Sequence, residues 1–272
     1  KSILYSLGFS SNFYFHYSGQ LYAAESGLLK PFLHTWSLSV EEQYYILFPI
    51  VLLITFKYFK RYLIHILILS FVISLGLAEW TSRNYPSASF YFLHTRMWEL
   101  LTGSILAYFE ITSGYRSKNQ TLNLILPSFG MLLIGHSILF FNDEMFHPSF
   151  YTLSPIIGVC LIIWFSNINE ITTKILSTKL FVGVGLISYS LYLWHYPIFA
   201  YARSTGLIQA SFVNKILLAL LIIVLSLFSY FLVERKIINK KYSLKLFLNI
   251  LFTVIFLALL NLVIINQNGF IS

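Results

Sequence analysis

Three groups of ionisable side chains stand in stretches that are otherwise apolar, and they are the residues best placed to do chemistry. The first is the run His34-Thr-Trp-Ser-Leu-Ser-Val-Glu-Glu-Gln-Tyr-Tyr45, with Glu41 and Glu42 side by side. The second is Leu93-His-Thr-Arg-Met-Trp-Glu99, where Arg96 and Glu99 lie at i,i+3. The third is Leu191-Tyr-Leu-Trp-His-Tyr-Pro197, which carries His195. Imidazole and carboxylate groups move protons near neutral pH, and a guanidinium holds an oxyanion or an anionic ligand. Neighbouring residues of a helix point about 100° apart, so Glu41 and Glu42 do not form an acid/base dyad.

Other chemistries find little support. The single cysteine, Cys160, lies in an apolar run and reads as a small buried hydrophobe, so no CxxC site exists. No GxSxG, HExxH or Walker pattern occurs, and no metal site is expected. Gly183-Val-Gly185 reads as close packing in an apolar helix, since a dinucleotide loop needs a preceding strand and an acidic partner. His16, His65, His136 and His147 have no carboxylate or second ligand at useful spacing and read as structural, and His94 reads as interfacial.

The elements that must position these groups are membrane helices. The chain has 272 residues, of which 57% are hydrophobic and only 10% charged, where a soluble domain carries about 25% charged residues. Mean hydropathy is +0.75. The fold class is therefore all-α, a polytopic transmembrane helix bundle. A span needs about 20 mostly apolar residues, and nine candidates lie near 2–16, 36–56, 62–80, 90–110, 121–141, 149–166, 181–202, 212–233 and 244–265.

Net charge is +8, but its placement is a topology signal and argues against a nucleic-acid partner. Twelve of the 18 basic residues lie in alternate connections: Lys57, Lys60 and Arg61; Arg116 and Lys118; Lys174 and Lys179; and the group from Arg235 to Lys245, including Lys240 and Lys241. The intervening connections hold fewer, together with Glu25, Asp143 and Glu144. The positive-inside rule makes the basic connections cytoplasmic and the tail 266–272 extracytoplasmic. His34 to Tyr45, Arg96 with Glu99, and His195 then all fall in the outer halves of their spans, as if around a polar cavity open to the outside.

Each group has two readings. If a helix already begins at His34, then His34, Leu38, Glu41 and Tyr45 share one face and form an inward stripe. Alternatively, Ser37 or Ser39 caps the helix and the two acids sit in its first turn, favoured by the dipole. Arg96 and Glu99 form an intrahelical ion pair, with or without a substrate contact. His195 is a base, a ligand contact or a belt residue. Trp36, Trp80, Trp98 and Trp194 read as an interfacial belt, with stacking on a sugar as the alternative.

The runs from His34 to Pro49, Leu93 to Gly103 and Ile187 to Pro197, with a weaker match at Val233-Glu234-Arg235, resemble the motifs of the membrane acyltransferase-3 family, the O-acetyltransferases of bacterial surface polysaccharides. The resemblance implies transfer of an acetyl or other acyl group from a cytoplasmic acyl-CoA, typically acetyl-CoA as co-substrate with no bound cofactor. The acceptor would be a hydroxyl of an extracytoplasmic glycan such as lipopolysaccharide O-antigen. It also implies a bacterial cytoplasmic (inner) membrane location.

The family's arginine and histidine, three turns apart on a first helix, are expected upstream of Lys1. Residues 1–265 would be the acyltransferase-like domain, and 266–272 a tail leading towards an SGNH-type hydrolase-like domain. Within that frame Glu41, then Glu42, orients the histidine or holds the acceptor hydroxyl, with His34 in the same stripe. Arg96 with Glu99, Trp36 and His195 are expected to contact substrate. A transporter or flippase is the alternative from another class, although broken helices and inverted repeats are not visible. A scaffold without activity is the other.

Overall fold

The computed structural model describes residues 1–19, 27–114, 116–142, 144–167, 170–207, 211–238 and 244–267. Glu25, Asp143, Lys240, Lys241 and the tail from 268 onward, named above, lie outside the described residues, as does the side chain of Lys245.

The described chain is a succession of helices without a strand. In order they are α1 (Ser2–Leu7), α2 (Ser11–Gly19), α3 (Thr35–Tyr58), α4 (Leu63–Asn84), α5 (Pro86–Tyr91), α6 (Leu93–Ser113), α7 (Gln120–Phe140), α8 (Leu153–Phe165), α9 (Ile171–Leu176), α10 (Lys179–Ser204), α11 (Phe212–Ser229), α12 (Arg235–Ile238) and α13 (Leu244–Asn266). A π-helical turn, Tyr230–Glu234, joins α11 to α12. Each of the nine predicted spans is helical over most of its length. Five helical stretches are long and apolar enough to cross a membrane: Thr35–Tyr58, Lys60–Asn84, Gln120–Phe140, Phe212–Ile238 and Phe247–Asn266.

The first predicted span is the exception, because it is broken in two. Gly8 ends α1, and Phe9 takes a left-handed backbone with φ of 50° that cannot continue a helix. The chain divides into two compact units, Lys1–Ser39 with Gly183–Ser272, and Val40–Val182.

In the first unit a ladder of hydroxyls fastens the start of α3 to the two short helices. Ser11 Oγ lies 2.7 Å from Ser39 Oγ, and the Ser11 amide donates to the same Ser39 oxygen. Thr35 Oγ1 donates to the Phe32 carbonyl at 2.7 Å and lies 2.7 Å from Ser6 Oγ. Ser11, Asn12 and Ser39 are almost wholly buried, so these bonds satisfy groups that water cannot reach.

In the second unit α4 packs on α6 and α7 on α8. Tyr44, Leu63, Leu67 and Leu101 form one apolar cluster, and Leu75, Ala78 and Trp98 another. Trp98 is fully buried there with Phe71 edge-on, which corrects the expectation of a belt residue. Its position on α6 points it at α4, where a large ring fills the gap left by Ala78. Trp80 does lie exposed, and Trp194 is partly so.

The α7–α8 contact depends on two glycines. A Cβ on Gly130 would lie 2.6 Å from the Gly158 carbonyl oxygen, and one on Gly158 would lie 2.7 Å from that of Gly130. The backbones touch there, as small residues allow in membrane helices. Gly183 and Gly185 do not do this, because a Cβ on either meets nothing within 4 Å. The close packing expected of that pair is found at Gly130 and Gly158 instead.

Candidate active site

The start of α3 decides between the two readings of its acids. Thr35 is the first helical residue, and no acidic residue falls in the first turn. Ser37 and Ser39 therefore lie inside the helix, and the capping alternative fails. His34 sits in the turn just before it, and Tyr45 is exposed, so the four-residue inward stripe is not continuous either. At 1.5 Å per residue, Glu41 lies roughly 9 Å along the helix from Thr35. Glu41 and Glu42 are half-buried and enter no ion pair or side-chain hydrogen bond among the described residues. Three residues on, Tyr44 Oη meets Ser104 Oγ at 2.9 Å and ties α3 to α6.

Arg96 and Glu99 form the expected ion pair at 3.5 Å, with about a fifth of each side chain exposed. The guanidinium also lies over the Phe90 ring, 5.7 Å from its centroid.

His34 and His195, far apart in sequence, come together in the first unit. Their ring centroids are 5.6 Å apart. The Tyr196 ring stacks on His34 at 5.5 Å, and the Tyr192 ring meets it edge-on at 5.2 Å. Tyr192 Oη donates to the His34 carbonyl and Tyr196 Oη to the Gly27 carbonyl, which hold the turn against α10. His34 is 6% exposed, and although the Pro31 carbonyl approaches its ring, neither ring nitrogen makes a hydrogen bond of normal geometry among the described residues. A buried polar group left so costs about 1–3 kcal/mol, which a ligand able to bond it would offset. The Nδ1 of His195 lies 2.6 Å from the Tyr192 carbonyl oxygen, so it carries the proton and leaves the Nε2 lone pair to act. Trp36 is half-buried nearby in the same unit.

Burial, and then the neighbouring His195, hold the His34 pKa down at about 4, with the Pro31 carbonyl pulling the other way. His34 is thus neutral at pH 7. The unfolded chain, with an ordinary histidine value of 6.5, takes up this proton first as pH falls. Stability from this residue is therefore full above pH 6.5 and is lost progressively down to about pH 4, by up to roughly 3 kcal/mol. Melting of the detergent-solubilised protein should fall over that window, and His34→Gln should flatten the dependence.

Among the residues the sequence did not single out, Tyr192 and Tyr196 frame the imidazoles, and their position beside His195 was the available signal. His147 is another. It lies near Arg96, and burial first, then that guanidinium, lower its pKa. The described residues contain no cluster of three metal-ligating side chains.

A family described as an acyltransferase domain matches residues 2–235, which takes in all three ionisable groups. The chain belongs to the acyltransferase-3 family. Among its relatives is the peptidoglycan O-acetyltransferase OatA of Listeria monocytogenes, 35% identical over 211 residues, or 71% of this chain and 33% of the relative. The O-acetyltransferase OatA of Staphylococcus aureus is 34% identical over 188 residues, or 65% of this chain and 31% of the relative. The chain spans about a third of the length of these curated relatives. No solved structure matches it. Acyltransferase-3 membership accounts for a helical membrane chain with acid, base and guanidinium groups. The Listeria relative is named for peptidoglycan, and neither relative is named for lipopolysaccharide.

Proposed function

We propose that this chain is the membrane portion of an O-acyltransferase of the bacterial cytoplasmic membrane. It moves an acetyl group from cytoplasmic acetyl-CoA to a hydroxyl of an extracytoplasmic glycan, with peptidoglycan as the first acceptor to test because one relative carries that name. The alternation of basic connections supports this sidedness. The observation that carries the reading is the buried His34, whose ring nitrogens make no hydrogen bond of normal geometry among the described residues, against a His195 whose Nδ1 is fixed by a backbone carbonyl.

In this mechanism His195 Nε2 takes the proton of the acceptor hydroxyl as its oxygen attacks the thioester carbonyl carbon. The C–O bond forms, the C–S bond breaks, and the proton passes to the departing thiolate of coenzyme A. Neutral His34 hydrogen-bonds the acceptor. In the Val40–Val182 unit, taken by itself, Glu41 backed by Glu42 would serve as a contact to a hydroxyl and Arg96 with Glu99 as a contact to an anionic group of substrate. The family's upstream arginine and histidine and an SGNH-type domain are further partners of the complete protein.

The test is transfer of labelled acetyl from acetyl-CoA to isolated peptidoglycan fragments by membranes containing the complete protein. Transfer supports the reading, and unlabelled glycan with intact donor refutes it. Glu41→Gln should abolish the labelling at unchanged protein level. Full labelling by that variant would remove Glu41 from the site.

A further inference from the structure

A second feature lies within the Val40–Val182 unit. The end of α4, the short helix α5 and the connection after α7 enclose a cleft of about 660 Å³. That volume falls in the range of small-molecule sites, roughly 300–1,000 Å³. Its walls are aromatic: Phe90, Tyr91, Phe141 and Phe146 all line it. Among them stand the polar groups of Asn142, Glu144 and His147. We infer that this cleft binds a sugar ring of the acceptor glycan.

The chemistry of the lining selects that ligand. A hexopyranose has an apolar face of C–H bonds and a rim of hydroxyls. Ring faces meet the first, and an amide, a carboxylate and an imidazole meet the second. Phe90 and Tyr91 stand edge to face with centroids 5.1 Å apart, and Phe141 packs on His147 at 5.5 Å, so the rings are braced. Asn142 Oδ1 accepts from the Glu144 amide, which turns its NH₂ group to the role of donor.

A fatty acyl chain would bury the same polar groups without bonding them. A phosphate would need a cation in the lining, and none of the described lining residues is a lysine or an arginine, while the nearby Arg83 is bound to Glu79 at 2.8 Å and lies over Phe146. The two connections that form the cleft, after Asn84 and after Phe140, are also poor in lysine and arginine, as connections outside the membrane are.

The identification of the sugar as the acceptor rests on the acyl transfer proposed above, and the experiment separates the two. The complete protein in lipid nanodiscs is titrated with chitotetraose by calorimetry, and its kinetics are measured with that saccharide as acceptor. Phe146→Ala should weaken binding roughly five- to tenfold. It should raise KM for the acceptor by a like factor and leave kcat unchanged. Phe146 is 40% exposed, so the fold does not depend on it, and Glu144→Gln, also on an exposed residue, provides a second variant with the same expected direction. Saccharide binding that these variants leave unchanged, no saccharide binding at all, or a cleft filled by lipid that saccharide does not displace would overturn the inference. Binding that depends on the cleft without any acetyl transfer would uphold this site and refute the proposed reaction. Transfer with KM unaltered in both variants would do the reverse.

Discussion

His195→Ala should reduce acetyl transfer roughly 10²- to 10⁴-fold, the range lost when a general base is removed. Its protein level and melting temperature should stay near wild type, because His195 is only half-buried and its Nδ1 bonds a carbonyl of its own helix. The loss should fall on kcat, since in the proposed mechanism the imidazole acts on the proton that moves in the transition state. His34→Ala should behave differently. It removes a buried ring that stacks on Tyr196, so it should lower stability and raise acceptor KM together. A His195→Ala enzyme with full kcat, assayed with labelled acetyl-CoA, would show that the base lies elsewhere in the complete protein.

The second large effect is one of packing. Gly130→Val should destabilise the α7–α8 pair by well over the roughly 1–3 kcal/mol of ordinary overpacking. The atom that a Cβ would strike is the backbone oxygen of Gly158 at 2.6 Å, and a backbone cannot swing aside as a side chain can. Even Gly130→Ala should lower the melting temperature in detergent by roughly 5–10 °C. Gly158→Ala should do the same, since the approach is mutual. Gly135→Ala, on the same helix but with open space around its Cβ, provides the control and should melt as wild type does. Equal melting of the Gly130 and Gly135 variants would mean that the two helices are not in contact there.

These two cases also mark what could be read from the chain alone. Apolar length located the nine helical segments, because a helix in lipid must satisfy its backbone internally and leaves a run of about 20 apolar residues as its trace. The acyltransferase motifs were legible as strings. Partnership between helices was not. Gly130 and Gly158 each stand alone in an apolar run, and nothing local pairs them. Trp98 looked interfacial because tryptophan favours that level, but the small Ala78 opposite makes room for it in the core. His34 and His195 could be named as candidates separately, yet their ring contact is a property of how α10 returns to the first turn of α3. His147 carried no signal, since what gives it a role is Arg96 and the aromatic walls around it.

The π-turn at Tyr230–Glu234 sets the gearing between two helices of the first unit. On α10, Ser190 and Trp194 are four residues apart and share a face. They reach Glu234 and Ser229, through Ser190 Oγ to the carboxylate and Trp194 Nε1 to the hydroxyl at 2.8 Å. Ser229 and Glu234 are five apart, and in a regular α-helix the fifth residue is turned some 140° away. The widened turn absorbs the surplus residue, so an interval of five meshes with an interval of four. Everything beyond Glu234 is thereby advanced by one tooth, and a strict 3.6-residue count carried through from Phe212 would aim Arg235 in the wrong direction.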